Sequence, residues 1–317
     1  MNTRQLGTNG PRITEIGFGA WAVGGAWNFG WGKTDDTESI RAIRHGIELG
    51  INWIDTAAVY GLGHSEQVVG EAISGNRENV FLATKCGQVW DDRNRVRNFA
   101  GAASVRKELD ASLHRLGTDH VDLYQIHWPD RSTPVEETWG EMIRLRDEGK
   151  TRFIGVCNFG VDLLQRCQAL APVQSLQPIY NILERDIERE IAPYCAQYGI
   201  GIVAYSPMQS GLLSGSFDRS RLAADDWRLV HSEKFREPRF SRDLKVVEQL
   251  RPIAERNGLT VGQLAVAWVL ANGAVTSAIV GARRAEQVEQ NVVAAGRDIP
   301  ESDLQEIGHM ISSDRGR

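Results

Sequence analysis

The feature of this 317-residue sequence that most restricts its fold is a regular alternation of short apolar runs with longer amphipathic stretches. The runs have the length of buried strands, and the stretches repeat their apolar side chains with helical spacing. We predict strands at residues 16–20, 52–55, 80–85, 121–127, 153–157, 173–177, 200–205 and 276–280. We predict helices at residues 37–49, 65–73, 104–116, 135–148, 161–170, 187–198, 244–257, 261–271, 285–294 and 302–311.

This alternation predicts an α/β fold with a parallel sheet and helices packed outside it. Eight strand–helix units are the number that closes into a (β/α)8 TIM barrel, where chemistry lies at the carboxyl ends of the strands. An open doubly wound sheet is the alternative. Asn9-Gly10 predicts a β-hairpin before the barrel, and a helix is predicted to end the fold. Since no linker-like segment divides the chain, we expect one domain over residues 1–317.

Charge and cysteine usage exclude several classes of partner. Lys and Arg number 36 against 41 Asp and Glu, a net charge of −5, whereas nucleic-acid-binding proteins usually carry a basic surplus. The uncharged window 258–282 is interrupted by Asn272-Gly273, so we interpret it as a buried helix, a turn and a strand. The start resembles no signal peptide, and the four cysteines show no metal-ligand spacing. We expect a cytoplasmic protein with no metal, nucleic-acid or membrane partner; a monomer is compatible with the sequence, which does not fix the oligomeric state.

One glycine motif suggests a dinucleotide-binding crossover. Gly17-Phe18-Gly19-Ala20-Trp21-Ala22 matches GxGxxA after a strand. In a Rossmann domain this motif opens a helix, so that the pyrophosphate meets the helix N-terminus. Residues 23–32 are too rich in glycine for a helix. We therefore predict a substrate loop here and no Rossmann domain.

Ionisable side chains stand at the ends of three consecutive predicted strands. Asp55, Lys85 and His127 end the second, third and fourth strands, and Tyr60 follows Asp55 in the loop. Singly, each has an ordinary explanation: a helix cap, a lysine reaching solvent, a packed loop histidine, a loop aromatic. Together they suit proton delivery to a carbonyl oxygen, because an ammonium beside a phenol favours the phenolate. We expect Lys85 to lower the pKa of Tyr60 toward neutrality, and a lyase that uses Lys85 as a Schiff base is an alternative.

Several motifs carry a family resemblance over essentially the whole chain. They are Asp55-Thr56-Ala57-Ala58-Val59-Tyr60-Gly61, Ala83-Thr84-Lys85, Asp122-Leu123-Tyr124-Gln125-Ile126-His127-Trp128 and the segments 154–159, 177–181, 204–207 and 280–284. In this order they resemble the motifs of the aldo/keto reductase family, and most of all its bacterial general or sugar aldehyde reductases.

The resemblance implies a catalytic tetrad and the cofactor NADPH. Tyr60 would be the general acid, Lys85 and Asp55 would modulate it, and His127 would orient the substrate. Asn158 and Gln177 would hold the nicotinamide carboxamide, Tyr205 would stack on the ring, and the loop around Gln209 would meet the pyrophosphate. The implied cofactor-binding set is Trp21, Asn158, Gln177, Tyr205, Ser206, Pro207, Gly211, Leu212, Gly281, Arg283, Gln287 and Asn291. Cys157 departs from the serine that the family often has there, and a thiol is a weak donor.

Arg283 follows the last predicted strand at the start of a helix. Its guanidinium fork suits a phosphate, and loops after strands seven and eight of barrels often bind phosphate. We predict that Arg283 meets the 2′-phosphate of NADPH; a solvated basic helix start is the alternative. The long charged loop 206–239 is interpreted as a clasp over the cofactor.

Tryptophans are concentrated in the loops after the first, third and fourth strands, at Trp21, Trp27, Trp31, Trp90 and Trp128. We predict that these rim tryptophans, Trp31, Trp90 and Trp128 in particular, line an apolar pocket for a small-molecule carbonyl substrate. Tryptophans that only hold the loops in place are the alternative. The leading hypothesis is an NADPH-dependent reductase of aldehydes or ketones, including sugar-derived ones. The alternative is an NADPH-binding regulatory barrel with little turnover, which the intact tetrad does not favour.

Overall fold

Eight parallel strands form a closed barrel in this computed structural model, which confirms the predicted TIM barrel. The structure describes residues 1–27, 29–30, 32–222 and 226–315. The strands are β1 (Thr3–Gln5), β2 (Arg12–Thr14), β3 (Ile16–Gly19), β4 (Trp53–Asp55), β5 (Phe81–Cys86), β6 (Gln88–Trp90), β7 (Val96–Asn98), β8 (Val121–Ile126), β9 (Thr151–Cys157), β10 (Ser175–Gln177), β11 (Gly201–Tyr205) and β12 (Val275–Gly281). The helices are α1 (Asp36–Glu48), α2 (His64–Ile73), α3 (Ala102–Leu116), α4 (Val135–Asp147), α5 (Val161–Gln168), α6 (Ile191–Tyr198), α7 (Trp227–Val230), α8 (Arg239–Arg256), α9 (Val261–Ala271), α10 (Ala285–Val292) and α11 (Glu301–Arg315).

The strand order around the barrel determines which loops meet. It runs β10, β11, β12, β3, β4, β5, β8 and β9, and β9 closes the barrel by pairing with β10. Strands β4, β5 and β8 are therefore neighbours, and β12 lies between β11 and β3. Because all barrel strands are parallel, the loops after neighbouring strands share one rim.

The predicted N-terminal hairpin is confirmed and covers the opposite end of the barrel. Strands β1 and β2 pair antiparallel, and the amide of Thr8 in the turn donates to the carbonyl of Gly199, just before β11. Leu6 and Ile13 are fully buried. They share an apolar cluster with side chains of the barrel strands, namely Trp53, Ala83, Leu123, Val203 and Ile279. Because the hairpin covers this end of the barrel, we look for the active site at the carboxyl ends of the strands.

The uncharged window 258–282 forms the helix, turn and strand that we predicted. Helix α9 begins at a capping box in which the Thr260 side chain accepts from the amide of Gln263 and the Gln263 side chain accepts from that of Thr260. Most of its side chains are buried against the barrel, and β12 follows after Asn272-Gly273. Across the described ranges, no helix combines the length and apolarity that a membrane crossing requires.

Three local features bear on the predictions. After β3, residues 20–23 form one 3-10 turn, so the GxGxxA motif opens no long helix, as predicted. The loop after β5 contains the hairpin β6–β7, which we did not predict; the Asp91 carboxylate accepts the amides of Arg93 and Arg95 in its turn. Helix α8 begins at residue 239 rather than 244, because Phe240 is buried with the core despite its polar neighbours.

Candidate active site

The structure brings the predicted tetrad together at the carboxyl ends of three neighbouring strands. Asp55 ends β4, Lys85 is the penultimate residue of β5, and His127 directly follows β8. The Lys85 ammonium is buried and donates to Asp55 Oδ2 at 2.7 Å, to the Thr56 carbonyl at 2.8 Å and to the Tyr60 hydroxyl at 3.2 Å. Three acceptors satisfy the three donors of an ammonium, so the position of Lys85 is fixed.

The backbone after Tyr60 fixes the position of the phenol. Gly61 has a φ of +62°, and a Cβ added to it would lie 1.9 Å from the carbonyl oxygen of Gly24. Only glycine fits so close an approach in this conformation. The Tyr60 ring meets the His127 ring edge to face, with centroids 5.6 Å apart. The phenol and the imidazole are therefore neighbours at the carboxyl end of the barrel.

The prediction that the pKa of Tyr60 is lowered toward neutrality is wrong. Burial is the largest influence and raises the pKa of Tyr60 from 10 to about 12, although Lys85 acts to lower it as predicted. Burial disfavours the charged phenolate more than one ammonium at 3.2 Å favours it. Tyr60 is consequently a protonated phenol at neutral pH, which is the form that a proton donor requires.

Lys85 remains charged in its buried position. Burial acts to lower the pKa of Lys85, but Asp55 and the other neighbouring acidic groups together raise it above its ordinary value. A Schiff base requires an unprotonated amine as the nucleophile. The ion pair with Asp55 and the raised pKa thus argue against the lyase alternative and make Lys85 a fixed positive charge beside Tyr60.

His127 is neutral at pH 7. Burial and, to a smaller extent, the charge of Lys85 hold the pKa of His127 well below 6.5. A neutral imidazole has one N–H donor and one acceptor. It can therefore donate a hydrogen bond to a substrate oxygen without adding a second charge.

We expect this histidine to make the protein less stable in acid. In the unfolded chain His127 takes up a proton near pH 6.5, whereas in the folded protein it does so only at much lower pH, so stability falls as the pH drops below 6.5. Urea unfolding at pH 7 and at about pH 5.5 should show a loss in wild type that exceeds the loss in His127→Asn by about 1 kcal/mol. Equal losses in the two proteins would show that His127 titrates normally.

The predicted nicotinamide contacts lie beside the tetrad, at the carboxyl ends of β9, β10 and β11. Gln177 Nε2 donates to Asp55 Oδ1 at 2.8 Å. Asn158 Nδ2 donates to the His127 carbonyl at 3.1 Å, and Asn158 Oδ1 accepts from the Tyr205 hydroxyl at 3.1 Å. The Cys157 thiol is buried, and burial raises the pKa of Cys157. These bonds join the amides and Tyr205 to the tetrad, so the prediction that they meet a carboxamide fits the geometry.

The turn after β11 has a strained backbone, and side chains from the loop after β10 hold it in place. Ser206, Gln209 and Ser210 have φ values of 57°, 47° and 54°, and Gly211 has 93°. Asn181 Nδ2 donates to the Ser206 carbonyl at 2.9 Å, and buried Gln209 donates to Glu184 Oε1 at 3.2 Å. Strained backbone of this kind is concentrated at ligand sites. The predicted cofactor residues Ser206, Pro207, Gly211 and Leu212 all belong to this turn.

The loop after β12 has a local surplus of positive charge. The Arg283 amide donates to Gln287 Oε1 at 2.9 Å, and Asn291 Nδ2 donates to the Gly281 carbonyl at 3.4 Å, so both side chains shape this loop. Burial, followed by the charges of Arg228 and Arg284, lowers the pKa of Arg283. A partly buried guanidinium beside two others fits an anionic group such as a phosphate.

The structure places the tryptophans of the predicted pocket rim in different surroundings. Trp27, one of the rim tryptophans, lies beside Tyr60, with ring centroids 6.4 Å apart. Trp21 packs edge-on against Trp227 with centroids 5.4 Å apart. Trp90 is half-buried in β6, and Trp128 is 39% exposed. Trp31 lies outside the described residues, so the predicted pocket wall of Trp31, Trp90 and Trp128 stays a prediction.

Comparison with known proteins decides the family. The model of the "Aldo/keto reductase family" matches residues 15–311. The chain belongs to the aldo/keto reductase family. It is 38% identical to "Aldo-keto reductase YhdN" of Bacillus subtilis (strain 168), over 99% of this chain and 94% of that protein. It is 35% identical to the "NADH-specific methylglyoxal reductase" of Escherichia coli (strain K12), over 96% of each chain.

The structural comparison agrees with the sequence comparison. The glycerol dehydrogenase AKR11B4 from Gluconobacter oxydans superimposes with a TM-score of 0.89 at 35% identity, covering 99% of this chain and 96% of that one. This aldo/keto reductase is therefore an oxidoreductase for small molecules that uses a nicotinamide cofactor, and the predicted family is confirmed.

Proposed function

We propose that this aldo/keto reductase is an NADPH-dependent reductase of aldehydes and ketones, including sugar-derived ones. The observation that carries the proposal is the Tyr60 hydroxyl at 3.2 Å from the buried Lys85 ammonium. Burial raises the pKa of Tyr60 to about 12, so we infer that this hydroxyl keeps its proton at neutral pH. NADPH, when bound, supplies a hydride. Asn158 and Gln177 would hold its carboxamide, Tyr205 would lie against its ring, and Arg283 would meet its 2′-phosphate.

The residues of the chain supply the proton and the charge balance. The carbonyl oxygen of a substrate would accept hydrogen bonds from the Tyr60 hydroxyl and the His127 imidazole. As the oxygen becomes an alkoxide, the Tyr60 proton moves to it and leaves a phenolate. The Lys85 ammonium then stabilises that phenolate, and Asp55, at 2.7 Å from Lys85, keeps the amine charged.

The aromatic wall supports small carbonyl compounds with an apolar face as substrates. Trp27 stands beside Tyr60, and we propose that Trp31, Trp90 and Trp128 extend this wall. One relative is a methylglyoxal reductase and one structural neighbour is a glycerol dehydrogenase. Small aldehydes and ketones, including three-carbon ones, are therefore the first candidates.

We also propose that residues 1–317 act as one domain in the cytoplasm, a location that fits four free, buried cysteines.

A substrate panel tests this function. Methylglyoxal, glyceraldehyde, benzaldehyde and an aldose would be assayed by NADPH and NADH absorbance. We expect reduction of at least one aldehyde with a higher kcat/KM for NADPH than for NADH. Tight NADPH binding without turnover of any carbonyl would instead support the regulatory barrel, and a preference for NADH would overturn the cofactor assignment.

Replacement of Arg283 tests the 2′-phosphate assignment. We expect Arg283→Ala to raise the Kd for NADPH at least about tenfold and the Kd for NADH less than about twofold, because only NADPH carries the phosphate that a guanidinium fork binds. Fluorescence titration with each nucleotide measures both values. Arg297→Ala, which removes an exposed guanidinium after α10, is the matched control. Equal weakening of both nucleotides would contradict the assignment.

A further inference from the structure

A carboxylate that the proposed mechanism does not use lies behind the tetrad. Glu108 is a half-buried residue of α3, and its Oε2 accepts a hydrogen bond from the amide of Gly87 at 2.9 Å. Its Oε1 accepts from the Ser104 hydroxyl at 2.9 Å. Gly87 has a φ of +85° and connects β5, which carries Lys85, to the β6–β7 hairpin. Glu108 therefore binds the backbone at the point where β5 leaves the barrel.

The amide that Glu108 binds belongs to a peptide group that also holds His127. The carbonyl of this group is that of Cys86, and it accepts a hydrogen bond from the amide of His127 at 2.9 Å. Since a peptide group is planar, it connects the Glu108 carboxylate rigidly to the backbone of His127. The next carbonyl, that of Gly87, accepts from the amide of Phe99 at 3.1 Å and closes the base of the hairpin. Rotation of the Cys86–Gly87 peptide would thus move His127 and the hairpin together.

The strength of this connection depends on the charge of Glu108. A hydrogen bond from an N–H group to a carboxylate is roughly twice as strong as one to a neutral acceptor. Hydrogen bonds in a chain also polarise one another, so a strong bond at the Gly87 amide strengthens the bond at the Cys86 carbonyl. A protonated Glu108 would therefore hold the Cys86–Gly87 peptide less firmly than an ionised one.

The groups around Glu108 come from four elements. Those that face it and are titratable or charged are Glu66 on α2, Cys86 on β5, Arg115 on α3 and Tyr124 on β8. Arg115 Nε donates to the buried Glu66 carboxylate at 2.6 Å, so these two charges oppose each other. Burial raises the pKa of Cys86 and of Tyr124, and both side chains stay neutral near pH 7. Of these neighbours and Glu108 itself, Glu108 is the group that changes its charge near neutrality.

The pKa of Glu108 lies in the physiological range. Burial is the largest influence and raises the pKa of Glu108 to about 7. The hydrogen bonds from Gly87 and Ser104 favour the carboxylate without offsetting the burial. The pKa values of Tyr60 and His127, by contrast, are displaced away from this range. A change in activity centred near pH 7 can therefore be assigned to Glu108.

We propose that Glu108 is a positioning residue for His127, and that it holds the Cys86–Gly87 peptide firmly only while its carboxylate is ionised. The inference rests on the proposed function, in which the His127 imidazole orients the substrate carbonyl. Ionised Glu108 keeps the imidazole and the hairpin aligned, and uptake of a proton loosens both. Reduction is consequently more efficient above pH 7 than below it, because of a group that does not touch the substrate.

A comparison of wild type with Glu108→Gln across the pH range tests this role. Glutamine resembles the protonated acid at every pH, and the ratio of the two kcat/KM values removes pH effects that both proteins share. We expect this ratio to be close to one at about pH 6 and to rise to about three- to tenfold at about pH 8, with a midpoint near pH 7. Asp110→Asn removes an exposed carboxylate from the same helix and should leave the profile unchanged. A ratio that does not vary with pH would overturn the proposal.

Ser104→Ala tests whether Glu108 is the titrating group. The substitution removes a hydrogen bond that favours the carboxylate, so the midpoint should rise by about one pH unit. The profile of Ser104→Ala would be divided by that of the double variant Ser104→Ala with Glu108→Gln. A purely structural effect would lower kcat/KM equally at all pH values. An unshifted midpoint would overturn the assignment to Glu108.

Limited digestion with trypsin separates this inference from the proposed function, because it requires no turnover. Arg93 and Arg95 are exposed in the hairpin, and loosening of its base should speed cleavage after them. We expect Glu108→Gln to be cut there about three- to tenfold faster than wild type at about pH 8, and equally fast at about pH 6. Equal rates at both pH values would overturn the inference alone. The expected cleavage in a wild-type protein that reduces no aldehyde would overturn the proposed function alone, and thermal unfolding controls for the folding of the variants.

Discussion

The Tyr60→Phe variant is expected to lose aldehyde reduction by a factor of about 10²–10⁴ in kcat while it binds NADP+ as wild type does. The substitution removes only the hydroxyl that donates the proton, and a positioned general acid contributes about that factor. The pKa of about 12 means that the wild-type group remains protonated across the ordinary assay range. Steady-state NADPH oxidation and NADP+ titration measure the two quantities.

A matched substitution separates the role of Tyr60 from the general loss of a phenol. Tyr198→Phe removes the hydroxyl of an exposed tyrosine at the end of α6. We expect it to leave kcat unchanged. A Tyr60→Phe rate within about tenfold of wild type would mean that another group or water delivers the proton.

The Lys85→Met variant is expected to be both inactive and unstable. It leaves the buried Asp55 carboxylate without its ammonium partner at 2.7 Å, although Gln177 still donates to Asp55. Breaking a buried pair from one side costs about 3–5 kcal/mol. Urea unfolding should show a decrease in the free energy of unfolding of that size, together with reduction rates close to background.

The double variant Lys85→Met with Asp55→Asn distinguishes the two effects. Without a carboxylate to leave uncompensated, we expect most of the lost stability to return while activity stays at background, because the charge beside Tyr60 is still absent. A stable Lys85→Met single variant would show that the ammonium does not compensate Asp55. Activity restored in the double variant would show that Lys85 has no role in the chemistry.

The barrel and its tetrad could be predicted because both depend on short-range patterns. Apolar periodicity placed the strands, and parallel neighbours necessarily bring their carboxyl ends together, which gathered Asp55, Lys85 and His127. The β6–β7 hairpin escaped prediction because its strands have three residues each and little apolar alternation. Its turn residues at 91–94 were the available signal.

Properties that depend on how deeply a group is buried, or on contacts made by a distant segment of the chain, could not be predicted from the sequence. The direction of the Tyr60 pKa shift follows from how deeply the phenol is buried in the fold, which no linear motif encodes. The hydrogen bond from Arg228 to the Ser210 carbonyl requires the loop after β11 to fold back on itself over 18 residues. The charged residues of the loop 206–239 were visible in the sequence, but the residues that they contact were not.

Transfer of an isotopic label tests most directly whether this site reduces carbonyl groups with a nicotinamide nucleotide. The protein would be incubated with NADPH carrying two deuterium atoms at nicotinamide C4 and with an aldehyde that the panel identifies as a substrate. We predict one deuterium on the carbonyl-derived carbon of the alcohol for each NADPH consumed, and transfer slowed by a factor of about 10²–10⁴ with Tyr60→Phe. Alcohol formed without the label, or labelled alcohol formed equally fast by Tyr60→Phe, would contradict the account.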